Sequence, residues 1–148
     1  MKTGELLFID SNVLVAFLDK MHPAHTQTVE KYRQWRTLNV QFAFSPQVIG
    51  ELFRTLTSPV YSKAPMTAST FQVLVRGVLD NPRARIFCPS RAAIDLAIQS
   101  AVDRNLSSSR IFDLLLYGTM REHGIKKLAT YNMKHFAGLD GIELVPVV

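Results

Sequence analysis

Several features that direct protein function are scarce or missing in this sequence. The 148 residues include one cysteine, Cys88, which excludes an internal disulfide framework and which we interpret as a core residue. No apolar run approaches the roughly 18 residues that a membrane-spanning helix needs. Glu5 and Asp10 interrupt the first apolar run, and no signal peptide is predicted. Phosphate-binding glycine loops, repeats and low-complexity tracts are also missing. These absences favour a cytoplasmic globular protein with no membrane segment.

The composition that is present predicts one basic, globular domain over residues 1–148. Hydrophobic residues make up 47% of the chain and charged residues 20%, and no Pro/Gly/Ser-rich linker divides it. Seventeen Lys and Arg residues exceed twelve Asp and Glu residues, so the formal net charge is +5. A small basic domain often binds a polyanion such as nucleic acid, but a solvated basic surface explains the charge equally well.

Strand-like and helix-like segments alternate along the chain, which predicts an α/β fold with a mainly parallel sheet and right-handed crossovers. Predicted strands cover residues 6–9, 40–44, 85–88, 127–130 and 142–145. Predicted helices cover 12–20, 24–38, 46–57, 68–79, a segment from 90 past 102, a segment capped by Ser107–Ser109 that runs to 123, and 132–136.

Two apolar patterns indicate which helix faces meet the core. In the fifth helix the pattern has helical spacing and predicts a core-facing stripe of Ile94, Ala97, Ile98, Ala101 and Val102. In the second helix Val29, Tyr32 and Trp35 recur at the same spacing, between basic residues. We expect that helix to pack on its own core rather than to present a contact surface.

Three acidic residues stand in unusual surroundings. Asp10 follows a strand that is predicted to be buried, and Ser11 is placed to cap the next helix. Asp10 therefore lies at the end of the sheet where α/β proteins bind ligands. Asp113 interrupts an apolar helix, where an unpaired carboxylate is costly, so it needs a metal, a hydrogen bond or a basic partner. Glu51 borders the apolar face of its helix and, taken alone, reads as a surface residue near Arg54. His22 and His25 lack a third ligand, which argues against a transition-metal site.

Five short motifs follow one another along the whole chain: Asp10-Ser11-Asn12-Val13-Leu14, His22-Pro23-Ala24-His25, Glu51, Ile111-Phe112-Asp113 with Arg121-Glu122-His123-Gly124, and Leu128 to Phe136. Together they resemble the motifs of the PIN-domain ribonucleases. Their order, spacing and the compact length resemble the VapC toxins of toxin–antitoxin systems. The family often carries Asp where this chain has Asn132, which adds no negative charge and leaves open whether one or two metal ions bind.

The resemblance implies a three-layer α/β/α fold and a catalytic site. Asp10, Glu51 and Asp113 would bind Mg²⁺ or Mn²⁺, since carboxylates suit hard cations, and the bound metal would activate water against an RNA phosphodiester. Ser11, Thr130 and Asn132 are candidates for orienting ligands or substrate. Arg110 and Lys134 are candidate contacts to the RNA backbone. The family also implies a homodimer and a VapB-like antitoxin; the RNA target is not indicated.

Two other functions are compatible with parts of the sequence. A PIN-like module that binds RNA or protein with weak or no nuclease activity would fit Asn132. A receiver-like phosphoryl-transfer protein would need a further acidic cluster and a catalytic lysine, for which Lys134 is the only candidate.

Overall fold

The computed structural model describes all residues from Met1 to Val148. Its strands are β1 (Leu6–Ile9), β2 (Gln41–Phe44), β3 (Ala84–Ile86), β4 (Lys127–Ala129) and β5 (Glu143–Val145). Its helices are α1 (Ser11–Leu18), α2 (His25–Thr37), α3 (Pro46–Thr57), α4 (Ala68–Leu79), α5 (Arg91–Asp103), α6 (Arg110–Glu122) and α7 (Met133–Phe136). The predicted elements are all present, and their ends differ from prediction by at most one or two residues, the usual uncertainty at helix and strand termini.

The five strands form one sheet in the order β3-β2-β1-β4-β5, and every pair is parallel. The predicted α/β class with a parallel sheet is therefore confirmed. From β1 to β3 the chain moves toward one edge of the sheet, and it then returns past β1 to β4 and β5. Helix α1 packs on α2 and α3, and α3 packs on α4, whereas α5 packs on α6. Because crossovers between parallel strands are almost always right-handed, the change of direction puts these two groups on opposite faces of the sheet. The result is the expected three layers, and the order in which the chain adds strands to the sheet reverses between β1 and β4.

The central strand β1 is buried because helices cover both faces of the sheet. Leu7, Phe8 and Ile9 have no exposed surface and belong to a single cluster of 29 buried hydrophobic residues. Tyr32 and Trp35 of α2 are 5% and 2% exposed, so this helix packs on its own core as expected. No helix is both long enough and apolar enough to cross a membrane.

Two core predictions are wrong. Cys88 is exposed, because β3 ends at Ile86 and Cys88 lies in the loop beyond it. In the predicted stripe of α5, Ala97 is buried as expected, but Ile94, Ile98 and Val102 are 40%, 53% and 69% exposed. This helix instead turns its small residues inward, and Ala93 and Ala97 are buried against α6.

Candidate active site

The candidate site lies beyond the carboxyl ends of β1 and β4, at the point where the strand order reverses. Asp10 directly follows β1, and its backbone N–H donates to the carbonyl of Ala129 at the end of β4. Thr130 comes next on that side and donates its hydroxyl proton to Asp10 Oδ2 at 2.7 Å. The sequence places both side chains here because each terminates a neighbouring parallel strand.

Asp10 is 5% exposed and its carboxylate is held by several donors. Oδ1 accepts from the backbone N–H of Ser11 at 2.7 Å, and Oδ2 accepts from Asn12 Nδ2 at 3.1 Å. Asp10, rather than the predicted Ser11, is therefore the N-cap residue of α1. Asn12 Oδ1 in turn accepts from the N–H of Tyr131, which ties α1 to the end of β4.

Burial raises the pKa of Asp10 to about 6, despite the opposing hydrogen bonds from Thr130 and Ser11. The negative charges of Glu51 and Asp113 raise the pKa further. Both other predicted acids thus lie close enough to Asp10 to disfavour its negative charge, and the pKa of Asp10 is about 6.

Glu51 is connected to Asp10 through a serine. Ser11 Oγ donates to Glu51 Oε2 at 2.7 Å and lies 3.4 Å from Asp10 Oδ1. Gln47, one turn earlier on α3, donates to Glu51 Oε1 at 2.8 Å. These contacts oppose the simpler reading of Glu51 as a surface residue paired with Arg54. Helix α3, which carries Glu51, begins at Pro46 because Ser45 caps it and proline is favoured at the first helical position.

Asp113 is oriented by two basic side chains instead. Its Oδ2 lies 2.8 Å from His135 Nδ1 and 3.3 Å from Arg110 Nε. Arg110 also donates to the carbonyl of His135 at 3.1 Å, so it is part of the site's support and not a free contact for RNA. Sequence reasoning missed the role of His135, since a four-residue helix has too little periodicity to reveal which way it faces.

The other predicted residues divide into two groups. Ser11 and Thr130 contact the acids directly. Asn132 is exposed at the start of α7, and its backbone N–H, not its side chain, donates to Thr130 Oγ1 at 3.0 Å. Lys134 is exposed on the same short helix. Asn12 and Gln47, which sequence reasoning did not single out, are polar residues within otherwise apolar segments.

The donor chemistry of this site fits a hard divalent cation. Carboxylate oxygens are the ligands that Mg²⁺ and Mn²⁺ prefer. A cation would also offset the burial of the Asp10 carboxylate and the nearby charges of Glu51 and Asp113, which together raise the Asp10 pKa. The side chains do not form a ready-made group of three metal ligands. His135 and Arg110 both contact Asp113 Oδ2, so Oδ1 is the oxygen that would bind an ion while His135 keeps the carboxylate oriented.

Clefts larger than the one beside Glu51 exist elsewhere on the surface, but none of them contains Asp10, Glu51 or Asp113. One of about 490 Å³ is lined by Phe17, Tyr32 and three arginines. Two of those arginines are engaged, since Arg83 donates to the carbonyl of Arg36 and Arg33 pairs with Glu30. Cleft size therefore does not identify the chemical site, which is defined by the buried carboxylate Asp10.

Comparison with known proteins agrees with this architecture. VapC20 of Mycobacterium tuberculosis, a toxin that cleaves the sarcin–ricin loop, is 16% identical with a TM-score of 0.68 over 90% of this chain and 95% of that one. VapBC2 of Rickettsia felis, bound to promoter DNA, is 19% identical with a TM-score of 0.66, covering 95% and 98%. VapBC-1 of nontypeable Haemophilus influenzae is 12% identical with a TM-score of 0.68, covering 96% and 98%.

These structural similarities establish the fold, and sequence comparison establishes the family. No curated protein matches the chain in sequence. The sequence model of the PIN domain matches residues 7–141, nearly the whole chain, and the match includes all three predicted acids. This confirms the resemblance on which the sequence interpretation was based and decides against a receiver-like protein. The chain belongs to the PIN-domain family.

Proposed function

We propose that this protein is a Mg²⁺- or Mn²⁺-dependent endoribonuclease that hydrolyses RNA phosphodiester bonds, and that it is the toxin of a type II toxin–antitoxin pair. The observation that carries the proposal is the buried, electrostatically strained Asp10, linked through Ser11 to Glu51 and close to Asp113, in a PIN domain. The net charge of +5 favours a polyanionic substrate.

Each side chain has a definite task in this mechanism. A bound divalent cation supplies a Lewis acid and a hydroxide nucleophile at neutral pH. Asp10, Glu51 and Asp113 would hold the cation. Ser11 fixes the distance between the first two carboxylates, and Thr130 and Asn12 fix the second oxygen of Asp10. His135 orients Asp113. Such supporting hydrogen bonds hold ligands in productive geometry.

The central experiment is a cleavage assay on single-stranded RNA with Mg²⁺, with Mn²⁺ and with a chelator. Asp10→Asn and Asp113→Asn should each abolish cleavage, because a neutral amide is a poor ligand for a hard cation. Asp140→Asn is the matched control, since this aspartate is exposed and outside the site. Thermal melting of all three variants separates lost chemistry from lost structure. An active Asp113→Asn variant would contradict the mechanism.

The proposal extends to partners. Two of the similar structures are VapBC toxin–antitoxin proteins, which supports an antitoxin for this chain as well. An Arg or Lys of the antitoxin would neutralise the carboxylates in place of the metal through charge-assisted hydrogen bonds. Within this chain, Arg110 already forms an ion pair with Asp113 at 3.3 Å. The product of the neighbouring gene should bind and block cleavage, and light scattering should give a homodimer. Full activity with excess partner, or a monomer at micromolar concentration, would contradict these expectations.

One observation favours a second candidate, a binding module with little or no nuclease activity. Asp113 is already paired with Arg110 and in contact with His135, and the acids form no preassembled metal group. Isothermal titration with Mg²⁺ and Mn²⁺ distinguishes the two functions. Metal binding lost in Asp10→Asn supports the nuclease, whereas RNA binding without metal binding or cleavage supports the module.

A further inference from the structure

A small groove adjoins the acid site between α3 and the start of α6. It has a volume of about 200 Å³ and is lined by Gln47, Gly50, Glu51, Arg54 and Phe112. This is less than the roughly 300–1,000 Å³ of pockets that hold drug-sized ligands, so it suits one planar ring system. Because Glu51 belongs to both the groove and the acid site, a ligand in the groove would lie directly beside the reacting phosphate.

The groove has an aromatic wall that the fold does not use for its core. Phe112 is 47% exposed, although it stands between Ile111 and Asp113 in a helix that is otherwise largely buried. Gln47 Nε2 donates both to the carbonyl of Phe112 at 2.9 Å and to Glu51 Oε1 at 2.8 Å. The aromatic wall is therefore tied to the catalytic acid, and the side-chain carbonyl of Gln47 is left to accept a further hydrogen bond.

A glycine keeps the groove open. Gly50 lies inside α3, where glycine is less stable than alanine by about 0.5–1 kcal/mol. A Cβ built at this position would meet nothing within 4 Å, so the fold does not require glycine here. A larger side chain would instead extend into the groove that Gly50 lines.

The groove also has a positioned cation. The guanidinium of Arg54 lies over the ring of Tyr61, 5.3 Å from its centroid, which holds the charge at the groove. Arginine planes and aromatic rings are the two surfaces on which proteins stack unpaired bases, and arginine also attracts phosphate.

We infer that this groove binds one unpaired nucleobase of the RNA substrate, next to the scissile phosphate, and so selects where the chain is cut. The inference rests on the proposed function and specifies its substrate as single-stranded at this position. The base would stack on Phe112, with Arg54 and the carbonyl of Gln47 as the groups that distinguish one base from another. A duplex does not fit, because paired bases cannot enter a groove the size of one ring system.

The test fills the groove with a larger side chain at position 50, where the fold has room for one. Binding of a fluorescently labelled single-stranded oligoribonucleotide is measured by anisotropy in chelator, so the readout is independent of cleavage. Gly50→Leu should weaken binding about tenfold, within the range for loss of one stacked base. Gly77→Leu is the matched control, since Gly77 is also an exposed helical glycine with nothing within 4 Å of its Cβ position but lies outside the groove. Equal affinities of the two variants would overturn the inference.

A second measurement locates the base. Oligonucleotides with one abasic position at a time should bind wild type weakly at a single position, and Gly50→Leu should be insensitive to that position. Phe112→Ala should weaken binding similarly, whereas Phe112→Tyr should retain it because the ring remains. If substitutions at Gly50 and Phe112 weaken binding of the neighbouring gene product but not of RNA, the groove is a protein contact and the inference is wrong. Absence of cleavage with intact, base-dependent binding would refute the nuclease and leave the groove assignment standing.

Discussion

Burial of Asp10 links the stability of the metal-free protein to pH. Its pKa is raised from 3.8 to about 6 in the folded state, so the folded protein binds the proton more tightly than the unfolded chain. The stabilising contribution is complete below about pH 4 and is lost as the pH rises through 6. At 1.36 kcal/mol per pKa unit, the loss is on the order of 3 kcal/mol. Thermal melts in chelator should show it.

Asp10→Asn isolates this effect, because the amide does not titrate. The melting temperature of the variant relative to wild type should rise between pH 4.5 and pH 7.5. The amide also disturbs the hydrogen bonds from Asn12 and Ser11, but that cost is the same at both pH values. Added Mg²⁺ should stabilise wild type at pH 7.5 and leave the variant unchanged. Parallel pH profiles of the two proteins would show that Asp10 is not the responsible group.

His135 should behave as a positioning residue. It contacts Asp113 Oδ2 at 2.8 Å from a different element, and loss of such a supporting contact typically costs 10- to 100-fold in metal affinity or activity. His135→Ala should therefore reduce cleavage by about that factor, while Asp113→Asn abolishes it. Raising the Mg²⁺ concentration should partly rescue His135→Ala only. If the two variants are equally inactive at saturating metal, His135 has a more direct role.

At the scale of elements, α5 and α6 approach through small residues. Gly118 of α6 faces the backbone of Ala93 on α5, and a Cβ at this position would overlap the carbonyl oxygen of Ala93. This close contact explains why the bulky residues of α5 point outward, contrary to the periodicity. The sequence pattern of α5 identifies an apolar stripe. It does not reveal that Gly118 on the neighbouring helix lets the alanine face of α5 pack more closely.

The same substitution should have opposite effects in two helices. Gly118→Ala forces α5 and α6 apart and should destabilise the protein by about 1–3 kcal/mol. Gly77→Ala meets open space in α4 and should stabilise it by about 0.5–1 kcal/mol, because alanine is the better helix former. Urea unfolding at constant pH measures both. Stabilisation by Gly118→Ala would mean that the helices do not pack this closely.

Across the whole molecule, the fold was predictable where one physical rule dominates. A continuous apolar strand followed by Asp10 specifies a buried parallel strand with its acid at the ligand-binding edge, and the structure has both. Contacts between distant elements were not predictable. The link from Ser11 to Glu51 and the pair of Asp113 with His135 join residues 40 and 22 positions apart, which only the packed layers bring together. Their roles in metal binding remain predictions.

The net charge of +5 makes a final prediction about the whole molecule, namely that RNA binding weakens with salt. For single strands the slope of log K against log salt is about −0.7 per phosphate contact. With about three contacts, affinity should fall roughly tenfold or more between 50 and 200 mM KCl.

Arg54→Ala should reduce the slope if its guanidinium meets phosphate. Phe112→Ala should instead weaken binding at every salt concentration and leave the slope unchanged, because stacking releases no counterions. Arg76→Ala, an exposed arginine of α4 outside the groove, is the control of equal charge. Salt-independent binding would show that the basic surface is merely solvated.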